Sequence, residues 1–124
     1  MKMANIVVVD DEMLIRQAYT DIFEDMGFEV TTFEDGDSLL DAFPELYPDL
    51  IILDVQMPGL DGFSVCKEIR KQPAGKKIPI IIISGSCGPN DPEPPLSGAN
   101  RFIHKPVDTE ELISIIKATL SQAS

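Results

Sequence analysis

Residues 49–62 read DLIILDVQMPGLDG, and this stretch constrains the fold more than any other. The run Leu50-Ile51-Ile52-Leu53 has no polar alternation, so it reads as a strand buried on both faces, as in a parallel sheet. It ends abruptly on Asp54, and Pro58-Gly59 and Asp61-Gly62 follow as turn signals. Asp54 then falls at the C-terminal end of its strand, the edge where open α/β sheets bind ligands. Taken alone, the stretch fits two readings. Asp54 is a nucleophile or metal ligand, or it ends a strand by starting a turn.

Two more runs share this character. Residues 5–9, NIVVV, lead into Asp10-Asp11-Glu12, and residues 78–84, IPIIIIS, end on Ser84. Between the runs the apolar period changes to three and four. Leu14, Ile15, Ala18, Tyr19, Ile22, Phe23 and Met26 mark a first helix, with Gly27 placed as its C-terminal cap. Residues 28–33 form a short second strand. Asp35-Gly36-Asp37 opens a second helix, which Pro44 disturbs and Pro48 ends. Asp61 caps a third helix carrying Phe63, Cys66 and Ile69, and that helix stops before Pro73-Ala74-Gly75. Residues 101–104 are a fifth strand. Asp108, with Glu111 three residues on, opens a last helix bearing Leu112, Ile115, Ile116 and Leu120. Alternating strands and helices imply right-handed crossovers and a doubly wound α/β fold with helices on both faces of a parallel sheet. Residues 1–124 read as a single domain.

One segment breaks the rhythm. A helix is due between the fourth and fifth strands, yet Pro89, Pro92, Pro94 and Pro95 fall there. Each interior proline costs about 3 kcal/mol in a helix. The expectation is a proline-rich loop in place of that helix, with at most a turn near Leu96.

Composition narrows the function. With 21 acids against 10 Lys and Arg, the net charge of −11 disfavours direct binding to nucleic acid or to an anionic membrane. Cys66 and Cys87 form no metal or redox spacing, which fits a reducing, cytoplasmic setting. No apolar run approaches the roughly 20 residues of a membrane span.

In a doubly wound sheet the strand ends meet at one edge. Asp10 and Asp11, Asp54, Ser84 and Lys105 all follow such ends. Clustered carboxylates repel one another unless a cation compensates, and a hard divalent ion with oxygen ligands is the natural partner. Acid cluster, hydroxyl and ammonium together describe a site for a phosphoryl group held by a carboxylate. Each part has a plainer role: Asp10 and Asp11 as helix caps, Ser84 as a strand end, and Lys105 as a solvated residue; His104 beside it reads as an ordinary strand residue, since the chain has no other histidine to partner it. The conjunction favours the site.

The motifs VVVDDE (7–12), LIILDVQMPGLDG (50–62), IIIISG (80–85) and FIHKP (102–106) carry a resemblance over nearly the whole chain. The sequence resembles a receiver domain of the response-regulator family of two-component signalling. The resemblance implies a flavodoxin-like five-stranded parallel sheet in the order 2-1-3-4-5. It implies that Asp54 is the phosphoacceptor and that Asp11, Asp10, Asp54 and the backbone carbonyl of Gln56 hold Mg²⁺, with Asp10 acting mostly through water. It further implies that Ser84 and Lys105 contact the phosphoryl group, that Phe102 is the switch aromatic, and that Lys105–Pro106 is a cis peptide. The donor would be a histidine kinase or phosphotransfer protein, and the output an unidentified domain or protein. Such a receiver supplies catalytic groups for its own phosphorylation and dephosphorylation but turns over no separate substrate. Three other readings compete. A haloacid-dehalogenase-type phosphohydrolase wants an acid where Gln56 stands. A flavin-binding module wants a Ser/Thr/Gly-rich loop where Asp10-Asp11-Glu12 stands. A pseudo-receiver has no use for the intact site.

Overall fold

The computed structural model describes residues 4–57, 59–85, 98–105 and 107–123. Five strands, β1 (Asn5–Val9), β2 (Glu29–Phe33), β3 (Leu50–Asp54), β4 (Ile80–Ser84) and β5 (Arg101–His104), form one parallel sheet in the order β2-β1-β3-β4-β5. The helices are α1 (Met13–Asp25), α2 (Gly36–Ala42), α3 (Gly62–Lys71) and α4 (Thr109–Ala123). The expected class and strand order are therefore present. Among the described residues no helix lies between β4 and β5. The proline-rich segment and Cys87 fall outside the described residues.

The lack of alternation in β1, β3 and β4 follows from their position. Successive side chains point to opposite faces, and both faces are covered. Val7, Val9, Ile51, Leu53, Ile80 and Ile82 pack with Leu39 of α2 and with Val65, Cys66 and Ile69 of α3. Ile6, Val8, Leu50, Ile52, Ile81 and Ile83 pack with Phe23 of α1 and with Leu112 and Ile116 of α4. β2 and β5, at the sheet edges, keep only partly buried side chains.

The helix ends follow local chemistry. The Ser38 amide donates to Asp35 at 2.8 Å, and the Ser64 amide donates to Asp61 at 2.8 Å. Both are N-caps of the expected kind. Asp108 accepts from the Glu110 amide at 3.3 Å. Gly27 follows α1 at φ 93°, a left-handed conformation natural for glycine. Pro44 does not end the second helical segment outright. α2 tightens into a 3₁₀ turn, Phe43–Glu45, that carries the proline in its first turn. Tyr47 then takes φ 48° just before Pro48. Glycine usually fills such a position after a helix, and a tyrosine there costs roughly 1–2 kcal/mol. β4 begins at Ile80, two residues later than expected, because Pro79 offers no amide to the ladder. Among the described residues no helix is long and apolar enough to cross a membrane.

Candidate functional site

The strand order reverses between β1 and β3, since the chain leaves β1 toward β2 and returns to β3 on its other side. A crevice opens outside the C-terminal ends of those two strands. Asp10 directly follows β1, and Asp54 is the last residue of β3. Carboxylate oxygens of Asp10, Asp11 and Asp54 all lie within 4.8 Å of one another. Asp10 and Asp54 are buried, at 3% and 6% exposure, while Asp11 is exposed.

Lys105 reaches into this cluster from the end of β5. Its Nζ stands 3.3 Å from Asp54 Oδ1 and 3.8 Å from Asp10 Oδ2. The Lys105 amide also donates to the Ser84 carbonyl at 2.9 Å, joining the ends of β4 and β5. Ser84 itself is fully buried, one residue beyond the register partner of Asp54. Of the residues expected from sequence, the fold thus gathers Asp10, Asp11, Asp54 and Lys105 at one point. It sets Ser84 on the same edge. Gln56 is exposed just beyond β3, and its backbone N–H donates to the Asp54 carboxylate. Pro106 lies outside the described residues.

One ammonium does not offset three carboxylates. Burial, first, holds the Asp54 carboxyl above its usual range, and Asp11 adds repulsion; Lys105 and the Gln56 amide pull the other way without prevailing. Burial likewise raises Asp10, as does Asp54, while the Glu12 amide and Lys105 oppose it. These are hard oxygen donors with an unmet demand for positive charge, a set that fits Mg²⁺.

Several neighbours were not legible as site residues. Arg16, one turn into α1, donates from Nη1 to the Asp10 carbonyl at 2.7 Å and steadies the turn that presents the acid pair. Tyr19 lies near enough that, after burial, Asp10 and Asp54 push its hydroxyl pKa up. Phe63 of α3 stacks on Phe102 with centroids 6.1 Å apart, and His104 meets Phe102 edge-on at 5.0 Å. Helical spacing marks Tyr19 and Phe63 as amphipathic packing, and only the fold reveals their neighbours.

Gly62 couples α3 to this site. A Cβ at that position would lie 2.6 Å from the Asp54 carbonyl oxygen and 3.1 Å from the Val55 Cα. Neither backbone atom can move without shifting the end of β3. Gly62→Ala is expected to destabilise the protein by about 1–3 kcal/mol in urea titration. It should also disturb the Asp54 resonances more than those of β1.

The response regulator receiver domain family model matches residues 6–117. The chain belongs to that family. It is 38% identical over 117 residues to the transcriptional regulatory protein CseB of Streptomyces avermitilis, covering 94% of this chain and 48% of that protein. The chain spans about half the length of the curated relatives it matches. Among solved structures, a Francisella response-regulator receiver domain superposes with a TM-score of 0.87 at 31% identity, covering 98% of this chain and 99% of the other. The receiver domain of a sensor histidine kinase of Pseudomonas aeruginosa PAO1, with a magnesium ion coordinated in its active-site cleft, gives 0.87 at 28% identity, covering 97% and 99%. The chain is accordingly a receiver domain of two-component signalling.

Proposed function

We propose that this receiver accepts a phosphoryl group on Asp54 from a histidine kinase or phosphotransfer protein and changes conformation in response. The observation that carries the reading is the placement of Lys105 Nζ, 3.3 Å from Asp54 Oδ1, inside a trio of carboxylates within 4.8 Å.

Asp54 ends a rigid, doubly buried strand, so its carboxylate is held for in-line attack. An Asp54 oxygen bonds to phosphorus as the phosphorus–nitrogen bond of the phosphohistidine breaks. The electron pair leaves with the imidazole, which then takes a proton from water. Lys105 places a positive charge where the equatorial oxygens gather negative charge. Asp10, Asp11, Asp54 and the Gln56 carbonyl would hold Mg²⁺, which when bound adds charge neutralisation for the phosphoryl oxygens. Asp10 would act mostly through water.

The acyl phosphate carries about −1.5 to −2 of charge in place of the carboxylate's single charge, and it sets that charge and its acceptor oxygens beside Asp10 and Asp11. Lys105 is then drawn from the carboxylates toward the phosphoryl oxygens. Ser84, fully buried in the free protein, must shift to offer its hydroxyl. Phe102 is half-buried against Phe63, so a shift at Ser84 would be relayed to β5 and the aromatic stack. The receiver supplies groups for its own labelling and hydrolysis and turns over no other substrate. The name of the Streptomyces relative supports transcriptional control through a partner or output domain, and an acidic receiver would leave DNA contact to that part.

Intact mass after incubation with acetyl phosphate and Mg²⁺ tests the reading. One phosphoryl group should be gained, be lost on standing, and be absent when EDTA is present. Labelling that resists EDTA, or none from either acetyl phosphate or a phosphohistidine donor, would overturn it.

A further inference from the structure

Half of the chain's cations lie in one short stretch. Lys67, Arg70, Lys71, Lys76 and Lys77 are five of the 10 Lys and Arg, and Glu68 is the only acid among residues 67–77, in a chain of net charge −11. The stretch covers the second half of α3 and its connection to β4. It lies toward the N-terminal ends of the strands, away from Asp54. The length of β3, about 17 Å for its five residues, separates the two ends. Lys71 is paired with Glu68 at 3.1 Å, whereas Lys76 and Lys77 make no ion pair among the described residues.

The connection that carries these lysines is braced from beneath. Arg70 donates from Nη1 to the carbonyls of Gly75 at 2.7 Å and Ile78 at 2.6 Å, and from Nε to that of Gly98 at 3.0 Å. Its Nη2 reaches Asn100 Oδ1 at 3.1 Å. Gly75 is buried against the Ile69 backbone so closely that no side chain would fit. The backbone that carries Lys76 and Lys77 is therefore braced, and binding there would order the two exposed side chains but not the connection itself.

A cleft of about 380 Å³ opens beside them, lined by Pro48, Pro73, Ala74 and Ile78 with both lysines at its rim. A second, of about 250 Å³, shares Pro48, Ala74 and Ile78 and adds Phe43 and Tyr47. Tyr47 is 71% exposed in the left-handed conformation that glycine would adopt without strain. An exposed tyrosine kept in a strained position beside a cleft of mixed polar and apolar lining is better suited to contact than to stability. Among the described residues Asp49 is the one acid lining the clefts, and its carboxylate accepts a hydrogen bond from the Asn5 backbone amide at 2.7 Å.

We propose that this corner docks an acidic segment of a partner protein. The partner's carboxylates meet Lys76 and Lys77, and one of its apolar side chains rests against Tyr47, Pro48 and Ile78. A protein segment fits better than nucleic acid, because the cations stand beside the apolar side chains of Pro48, Pro73 and Ile78 in a cleft of mixed lining, and the wider surface of this acidic chain repels a phosphate backbone. Screening confines the attraction to within about 8–10 Å of the lysines, so the net charge elsewhere does not cancel it. The site is separate from the phosphoryl pocket, and its occupant would not block Asp54.

The probe is a short fluorescein-labelled peptide rich in Glu and Asp with one central leucine, followed by anisotropy and by amide shifts of the isotope-labelled protein. Saturable binding is expected, with shifts at Tyr47, Lys76, Lys77 and Ile78. The Lys76→Glu/Lys77→Glu variant should bind on the order of tenfold more weakly. Tyr47→Gly should also bind more weakly while its thermal midpoint rises. Acetyl phosphate labelling of both variants should match the parent, which keeps this test apart from that of the phosphoryl site. No saturable binding, shifts elsewhere, or indifference to the charge reversal would overturn the proposal. So would equal affinity for an oligothymidylate, which marks unselective polyanion attraction. Self-association abolished by the reversal would overturn it too, by assigning the corner to contacts between copies.

Discussion

Asp54→Asn should abolish labelling by acetyl phosphate and, in metal-free buffer at neutral pH, raise the thermal midpoint. The first effect is the loss of the nucleophile, since an amide oxygen is a far weaker attacking group than a carboxylate. The second follows from the electrostatics of the free site. Asp54 is 6% exposed and shares its pocket with Asp10 and Asp11, and its pKa lies above the usual carboxylate value despite Lys105. Folding therefore disfavours its ionised form, and a neutral side chain of the same shape relieves that cost. Lys105 keeps a partner in Asp10, 3.8 Å away, so the substitution does not strand a buried cation. The gain should be on the order of 1 kcal/mol, a few degrees for a chain of this size. Mass spectrometry and thermal melting of parent and variant check both halves. Residual labelling of Asp54→Asn would place the acceptor elsewhere. A lowered midpoint would mean that the Lys105 pair outweighs burial and repulsion.

The unalternating runs at Ile6–Val9, Leu50–Leu53 and Ile80–Ile83 were enough to infer a parallel sheet covered on both faces, because few other environments hide every residue of a strand. Once the strands were parallel, the residues after them had to share an edge, so Asp10, Asp54 and Lys105 could be brought together before any distance was known. The strand order itself came from the resemblance, since periodicity does not say which strands pair. Other features depend on tertiary contacts that no local pattern encodes. Val65 is more deeply buried than Phe63 on α3, although the expected apolar face is Phe63, Cys66 and Ile69, because Val65 packs against Gly36 of α2. Arg70 looks in sequence like one more surface cation in a basic run. In the fold its donors are taken by carbonyls and by an asparagine from two separate connections, those before and after β4. Tyr47 carries no helical or strand signal, and its left-handed backbone follows from the way the 3₁₀ turn must end before β3.

Mg²⁺ should stabilise the protein and remove a pH dependence that the metal-free protein shows. Asp10 and Asp54 both have folded pKa values raised above their ordinary 3.8, in each case chiefly by burial. A carboxyl shifted in this direction binds its proton more tightly in the folded state. Its contribution to stability is fully present below about 3.8 and is lost as pH rises through the raised folded value. Between those limits the metal-free midpoint should fall as pH increases. The chain carries 21 acids, so the relevant quantity is the difference between the parent and an Asp10→Asn/Asp54→Asn variant, in which this component is absent. At neutral pH the ionised cluster is what a divalent cation needs. Saturation at a hundred times the dissociation constant would contribute about 2.7 kcal/mol, a shift of several degrees in the parent. The double variant should respond little, having lost two of its three carboxylates. Melting curves across pH, with EDTA or with Mg²⁺, measure all of this without any phosphoryl donor. A parent whose midpoint ignores Mg²⁺, or a double variant with the same pH slope as the parent, would show that the three carboxylates do not act as one cation site. A common response in the parent that disappears in the variant would tie folding, metal affinity and protonation to the same pair of strand ends.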